Sequence, residues 1–87
     1  MNPSAKRGNN PDRWDLLLAA LDEKLQLGLL DRLKRINSYH FEAEVLYIEP
    51  GDAKDQEYLM RESAVQQLKL LAEDSIKVEN VKIKKIF

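Results

Sequence analysis

YHFEAEVLYIEP, residues 39–50, is the stretch whose reading decides the fold. Along it side chains alternate: Tyr39, Phe41, Ala43, Val45 and Tyr47 on one side, His40, Glu42, Glu44, Leu46 and Ile48 on the other. A period of two among aromatic and β-branched residues is that of extended backbone. One long strand fits, as do two strands joined at Glu42-Ala43-Glu44. Tight hairpins favour Gly, Asn or Asp at the corner and none is present, yet the hairpin is the preferred reading. Pro50-Gly51-Asp52 ends the run with a turn signal.

Towards the N-terminus the period changes at Asn37. Trp14, Leu17, Leu18, Leu21, Leu25, Leu29 and Leu33 recur at helical spacing. Asn10-Pro11-Asp12 reads as a helix start: Asn caps free backbone donors, Pro is tolerated in the first turn, and Asp suits the positive helix end. This helix is expected to reach about Gln26, with Trp14, Leu17, Leu18, Leu21 and Leu25 on one face. Gly28 marks a break or tight corner. A second helix, about 29–36, buries Leu29, Leu30, Leu33 and Ile36; one long helix kinked at Gly28 is the competing reading. The polar first ten residues, MNPSAKRGNN, read as a disordered leader or linker before a single domain over 11–87.

Towards the C-terminus, residues 53–60 read as helical. Ser63 and Gln66 have the spacing of a capping box opening a helix to about Asp74, with Ala64, Val65, Leu68, Leu71 and Ala72 inward. One helix over 52–74 is the alternative. Val78, Val81, Ile83 and Ile86, interleaved with Lys82, Lys84 and Lys85, predict a closing strand with one wet face. The sum is a small α+β domain in two layers, in the order helix, helix, strand or hairpin, helix, strand.

At 87 residues such a domain buries about 60–65% of the surface its unfolded chain exposes. Lys and Arg number 14 against 15 Asp and Glu, a net charge of -1, which argues against a general nucleic-acid or anionic-membrane binder while leaving a local basic patch open. There are no cysteines, so disulfides and thiolate metal sites are excluded and a cytoplasmic location is the natural reading. No apolar run approaches the ~20 residues that span a bilayer, so no membrane partner is expected.

Chemistry is sparse. His40 is the only histidine, and Ser38, two residues away, lacks an orienting acid. His40, Glu42 and Glu44 form a row of potential metal ligands without a closing partner. The three glycines, Gly8, Gly28 and Gly51, are isolated, which rules out a phosphate-cradling loop. No catalytic, cofactor-binding or metal-binding residue is assigned, and the chain reads as a non-enzyme. A KH-like single-stranded nucleic-acid binder would clamp the backbone with a GXXG loop, where this chain has Leu27-Gly28-Leu29-Leu30. Arg32, Lys34 and Arg35, with Lys82, Lys84 and Lys85, remain candidate phosphate contacts. Trp14, opening an amphipathic helix, reads either as core or as an interface anchor.

Three segments carry a resemblance: RWDLLLAALDEKL, FEAEVLYIEP and ESAVQQLKLLAEDSIKVENVKI. Over about 13–86 the chain resembles the pseudo-KH domain at the N-terminus of the bacterial replication initiator DnaA, and the related C-terminal domain of the DNA polymerase III gamma/tau subunit. Ala43 stands where that family usually has a hairpin glycine, and the Leu-rich 27–33 segment replaces an aromatic stretch. The resemblance implies a protein-interaction module of bacterial DNA replication, docking a helicase, polymerase subunit, regulator or copy of itself. On that reading the partner-binding residues are Trp14, Leu17 and Leu21 as an apolar helix face, with Arg32, Lys34 and Arg35 steering the approach.

Overall fold

The structure, a computed structural model, describes residues 8–87. Its elements run α1 (Pro11–Glu23), α2 (Leu27–Lys34), β1 (Ser38–Glu42), β2 (Val45–Glu49), α3 (Ala53–Leu59), α4 (Glu62–Ile76) and β3 (Asn80–Ile83). The sheet order is β1-β2-β3, with β1 and β2 antiparallel and β3 parallel to β2. This is the expected two-layer α+β domain, and the two segments read as helical after the hairpin form separate helices rather than the alternative single helix over 52–74.

The hairpin forms without glycine. Ala43 and Glu44 take φ of 50° and 63°, the left-handed pair that a two-residue turn needs to match strand twist. Glu42 then faces Val45, and the parity of the strand resets across the turn. A single run would have set Leu46 and Ile48 opposite Tyr39 and Phe41. Instead all four share the inner face, while Ser38, His40, Glu42, Val45, Tyr47 and Glu49 share the outer one.

The core joins Trp14, Leu17 and Leu21 of α1 to Leu29, Leu30 and Leu33 of α2, Tyr39, Leu46 and Ile48 of the hairpin, Leu68, Leu71, Ala72 and Ile76 of α4, and Val81 of β3. Of the residues expected inward on α4, Ala64 and Val65 are only half-buried. Asn10 caps α1 as expected, its side chain accepting from the Arg13 N–H at 3.3 Å. The Ser63 capping box does not form. α4 begins two residues earlier, with Arg61 at the cap and no side-chain cap bond, and Gln66 instead donates to Glu62 at 3.5 Å.

Two side-chain amides tie the chain's outer segments to the fold. Asn9 accepts from the Phe41 N–H and donates to the Phe41 carbonyl, each at 2.8 Å, pairing with the β1 edge as one residue of a strand would. Gly8 lies against the Tyr39 ring. The domain therefore includes 8–10, which the sequence reading placed in the leader; the rest of that leader lies outside the described residues. At the other end, buried Gln56 accepts from the Ile86 and Phe87 N–H groups at 2.8 Å and donates to the Phe87 main-chain oxygen at 3.0 Å.

Candidate functional site

The apolar face of α1 is not a docking surface. Trp14 is 4% exposed, and Leu17 and Leu21 are wholly buried. The Trp14 ring stacks on Tyr39 with centroids 4.4 Å apart and planes 6° from parallel, and Phe41 meets Tyr39 edge-on at 5.8 Å. The reset hairpin supplies this cover, since it turns Tyr39 and Phe41 inward onto the helix. The expectation of a greasy first-helix side, with Trp14, Leu17 and Leu21 awaiting a partner, is overturned: the domain occupies that side itself.

The basic residues are diverted as well. Asp55, in the first turn of α3, is 4% exposed, and its N–H donates to Asp52 Oδ1 at 2.7 Å. A buried carboxylate needs a counter-charge with matched hydrogen bonds. Arg35 supplies a fork, Nη2 to Oδ1 at 2.8 Å and Nε to Oδ2 at 3.1 Å, and also reaches Asp31 at 3.3 Å. Its bond to Asp55 raises the Arg35 pKa above its ordinary value. Arg32 Nε stands 3.9 Å from Asp55, with the guanidinium 4.1 Å from the centre of the Tyr58 ring. Lys34 is exposed. Arg32 and Arg35 are thus a tie between α2 and α3 rather than a steering patch, a second correction to the expected site.

The fold leaves several apolar side chains outside, Leu16, Leu70, Ile86 and Phe87 among them, and two of them, Leu25 and Leu27, sit together at the corner between α1 and α2. Lys24 caps α1, the Leu25 N–H bonds Asp22 O at 3.0 Å and the Gln26 N–H bonds Leu21 O at 2.8 Å. That pair of bonds is a Schellman ending, whose left-handed residue is usually glycine. Here it is Leu25, at φ 58°. Leu25 is 76% exposed and Leu27 54%. Gly28, expected to break the helix, sits in the first turn of α2. A Cβ there would come 2.5 Å from the Tyr58 hydroxyl, so glycine leaves room for that ring end beside α2.

Beside this corner a cleft of about 280 Å³ opens between it and the α3–α4 turn, lined by Gln26, Leu29, Tyr58, Arg61 and Ala64 among others. The Arg61 guanidinium lies 5.4 Å from the centre of the Tyr58 ring. Met60, exposed, stands at the α3–α4 turn. Sequence reasoning put Leu25 on the buried face by continuing the α1 spacing. The available signal was Leu25-Gln26-Leu27, an i, i+2 spacing that breaks helical rhythm.

The outer face of the sheet is the other open surface. His40 and Tyr47 stack there at 5.0 Å and 18°, and His40 Nε2 lies 2.9 Å from Glu42 Oε1. Glu49 accepts from Asn37 Nδ2 at 2.7 Å and from the Ser38 hydroxyl at 2.9 Å, and those bonds lower its pKa. Ser38 is therefore committed to Glu49 and not to His40. Glu44 lies in the turn, which breaks the row it was expected to form with His40 and Glu42. Among the described residues no group of three or more His, Asp or Glu is placed to hold a metal, and no helix is long and apolar enough to cross a membrane.

No known family model, curated protein or solved structure matches this chain.

Proposed function

We infer that the chain is a non-enzymatic protein-interaction module of the pseudo-KH kind, acting in the cytoplasm in bacterial DNA replication. It docks a helicase, polymerase subunit or regulator through the α1–α2 corner. The family part of this reading rests on the sequence resemblance. The element order, a helix pair, a hairpin, a second helix pair and a closing parallel strand, is compatible with it.

One observation carries the docking surface: Leu25 is held in solvent in a conformation that costs an L-residue about 1–2 kcal/mol. Glycine or asparagine would end the helix there at less cost. An exposed leucine kept where glycine would serve the helix end better, beside a second exposed leucine, supports an apolar contact at this corner. The neighbouring cleft, with Tyr58 under Arg61, supplies a polar rim.

The test is a titration of the isotope-labelled chain with purified replicative helicase, polymerase clamp-loader subunit and replication initiator, and with unlabelled chain. Chemical-shift changes confined to Leu25, Leu27, Met60 and the cleft support the reading. If every candidate leaves those resonances unmoved, or moves only the outer face of the sheet, the docking proposal is wrong.

A further inference from the structure

We propose that the uncovered face of the sheet is a platform for single-stranded nucleic acid, separate from the corner and independent of the docking reading. The hairpin register makes His40 and Tyr47 direct partners, so their rings stack. In the core the comparable Trp14–Tyr39 pair is enclosed. On this face the stack is only half-buried, so part of each ring reaches solvent. A nucleobase extends such a column, and every base has a face that can do so.

The cations are placed beside the column. Lys82 is the register partner of Tyr47 on β3, and Lys84 follows just past the end of that strand, its N–H donating to the Ile48 carbonyl at 2.8 Å. Both lysines are exposed. Of the carboxylates on the face, Glu42 bonds His40, while Glu49 accepts from Asn37 and Ser38 and is also favoured by the charge of Lys84. Among the described residues no carboxylate lies within ion-pair distance of Lys82. Ser38, Val45 and Asn80, the other side chains here, are short. A protein partner would look for an aliphatic centre, and half-buried Val45 is the single aliphatic residue on this face. Rings beside cations fit a base and its phosphate instead. The clamp differs from a GXXG loop, and its two lysines give a chain of net charge -1 a local attraction for phosphate.

The experiment is fluorescence anisotropy of the full chain with labelled oligothymidylate and oligouridylate of about 12 nucleotides, within the span of one small stacking domain. Two phosphate contacts predict a slope of log affinity against log salt of about -1.4. Tyr47→Ala is expected to weaken binding by about tenfold, the loss of one stacked base. The double variant Lys82→Gln, Lys84→Gln, at exposed positions, is expected to bring the slope near zero. Circular dichroism checks that each variant is folded, and the lysine variant decides the matter if Tyr47→Ala is not. Comparing the two oligonucleotides tells DNA from RNA. No binding at low salt, equal affinity for duplex, or affinity untouched by the lysine pair would overturn the proposal. So would a protein partner that perturbs Tyr47 and Lys82 where the oligonucleotide does not.

Discussion

Replacing Leu25 by glycine should make this domain more stable and a worse binder. Leu25 closes α1 in the left-handed region at φ 58°, which costs an L-residue about 1–2 kcal/mol and glycine almost nothing. Against that relief, glycine gives up about 0.5–1 kcal/mol of backbone entropy on folding. Little burial is lost, because the side chain is already 76% exposed. At the middle of those ranges the balance is a gain of about 0.75 kcal/mol. At roughly 4–8 °C per kcal/mol for a domain of this size, the melting temperature should rise by about 3–6 °C. Burying a leucine against a partner stabilises a complex by about 1.5–3 kcal/mol, so the same variant should weaken docking at the corner by roughly 10- to 100-fold. Thermal melting by circular dichroism and calorimetric titration with the partner read the two effects separately. Opposite signs are the signature of a residue kept for binding at the expense of folding. A fall in melting temperature, or unchanged affinity in a variant that melts higher, refutes the reasoning.

Trp14→Ala should behave differently: loss of a buried, stacked ring costs about 3–5 kcal/mol, a large part of the roughly 4–13 kcal/mol expected for a chain of this length, and urea unfolding will measure it. A cost under about 1 kcal/mol would return Trp14 to the surface. Changing Ala43-Glu44 to Asn-Gly supplies the residues a left-handed two-residue turn favours and should raise stability by about 1 kcal/mol in the same assay; no gain would contradict the turn. Glu49 has a pKa lowered by its bonds from Asn37 and Ser38. A carboxylate depressed in the folded state contributes stability above its ordinary value of 4.5, and that contribution is lost as pH falls through the folded value. The melting temperature of the natural chain should therefore drop more steeply below about pH 4.5 than that of Glu49→Gln; parallel curves would remove the bonds from the account.

Most of the architecture was legible because helical and strand periods differ over long stretches. Trp14, Leu17 and Leu21 announce α1, and Val45 to Pro50 announces β2. The hairpin was legible but its consequence was not. With neither Gly nor Asn at Ala43-Glu44, nothing local requires two left-handed residues, and only the packing of Tyr39 and Phe41 onto α1 makes that turn worth its strain. From this parity reset follows the main error about the site, since it covers the helix face that looked free. The arginines misled for a related reason: the burial of Asp55 depends on how α2 and α3 meet, and Gly28 leaves room there for the ring end of a residue thirty positions away, Tyr58. Leu25 escaped notice because its spacing continued that of α1, while the helix stops at Glu23.

The most direct test of the account is the fluorescence of Trp14, the chain's single tryptophan, in the free domain with iodide as quencher. If the first-helix face is interior and docking falls to the α1–α2 corner, emission will be blue-shifted and insensitive to iodide until denaturant unfolds the chain. Red-shifted emission that iodide quenches in the folded protein would put that face back in solvent and contradict the account.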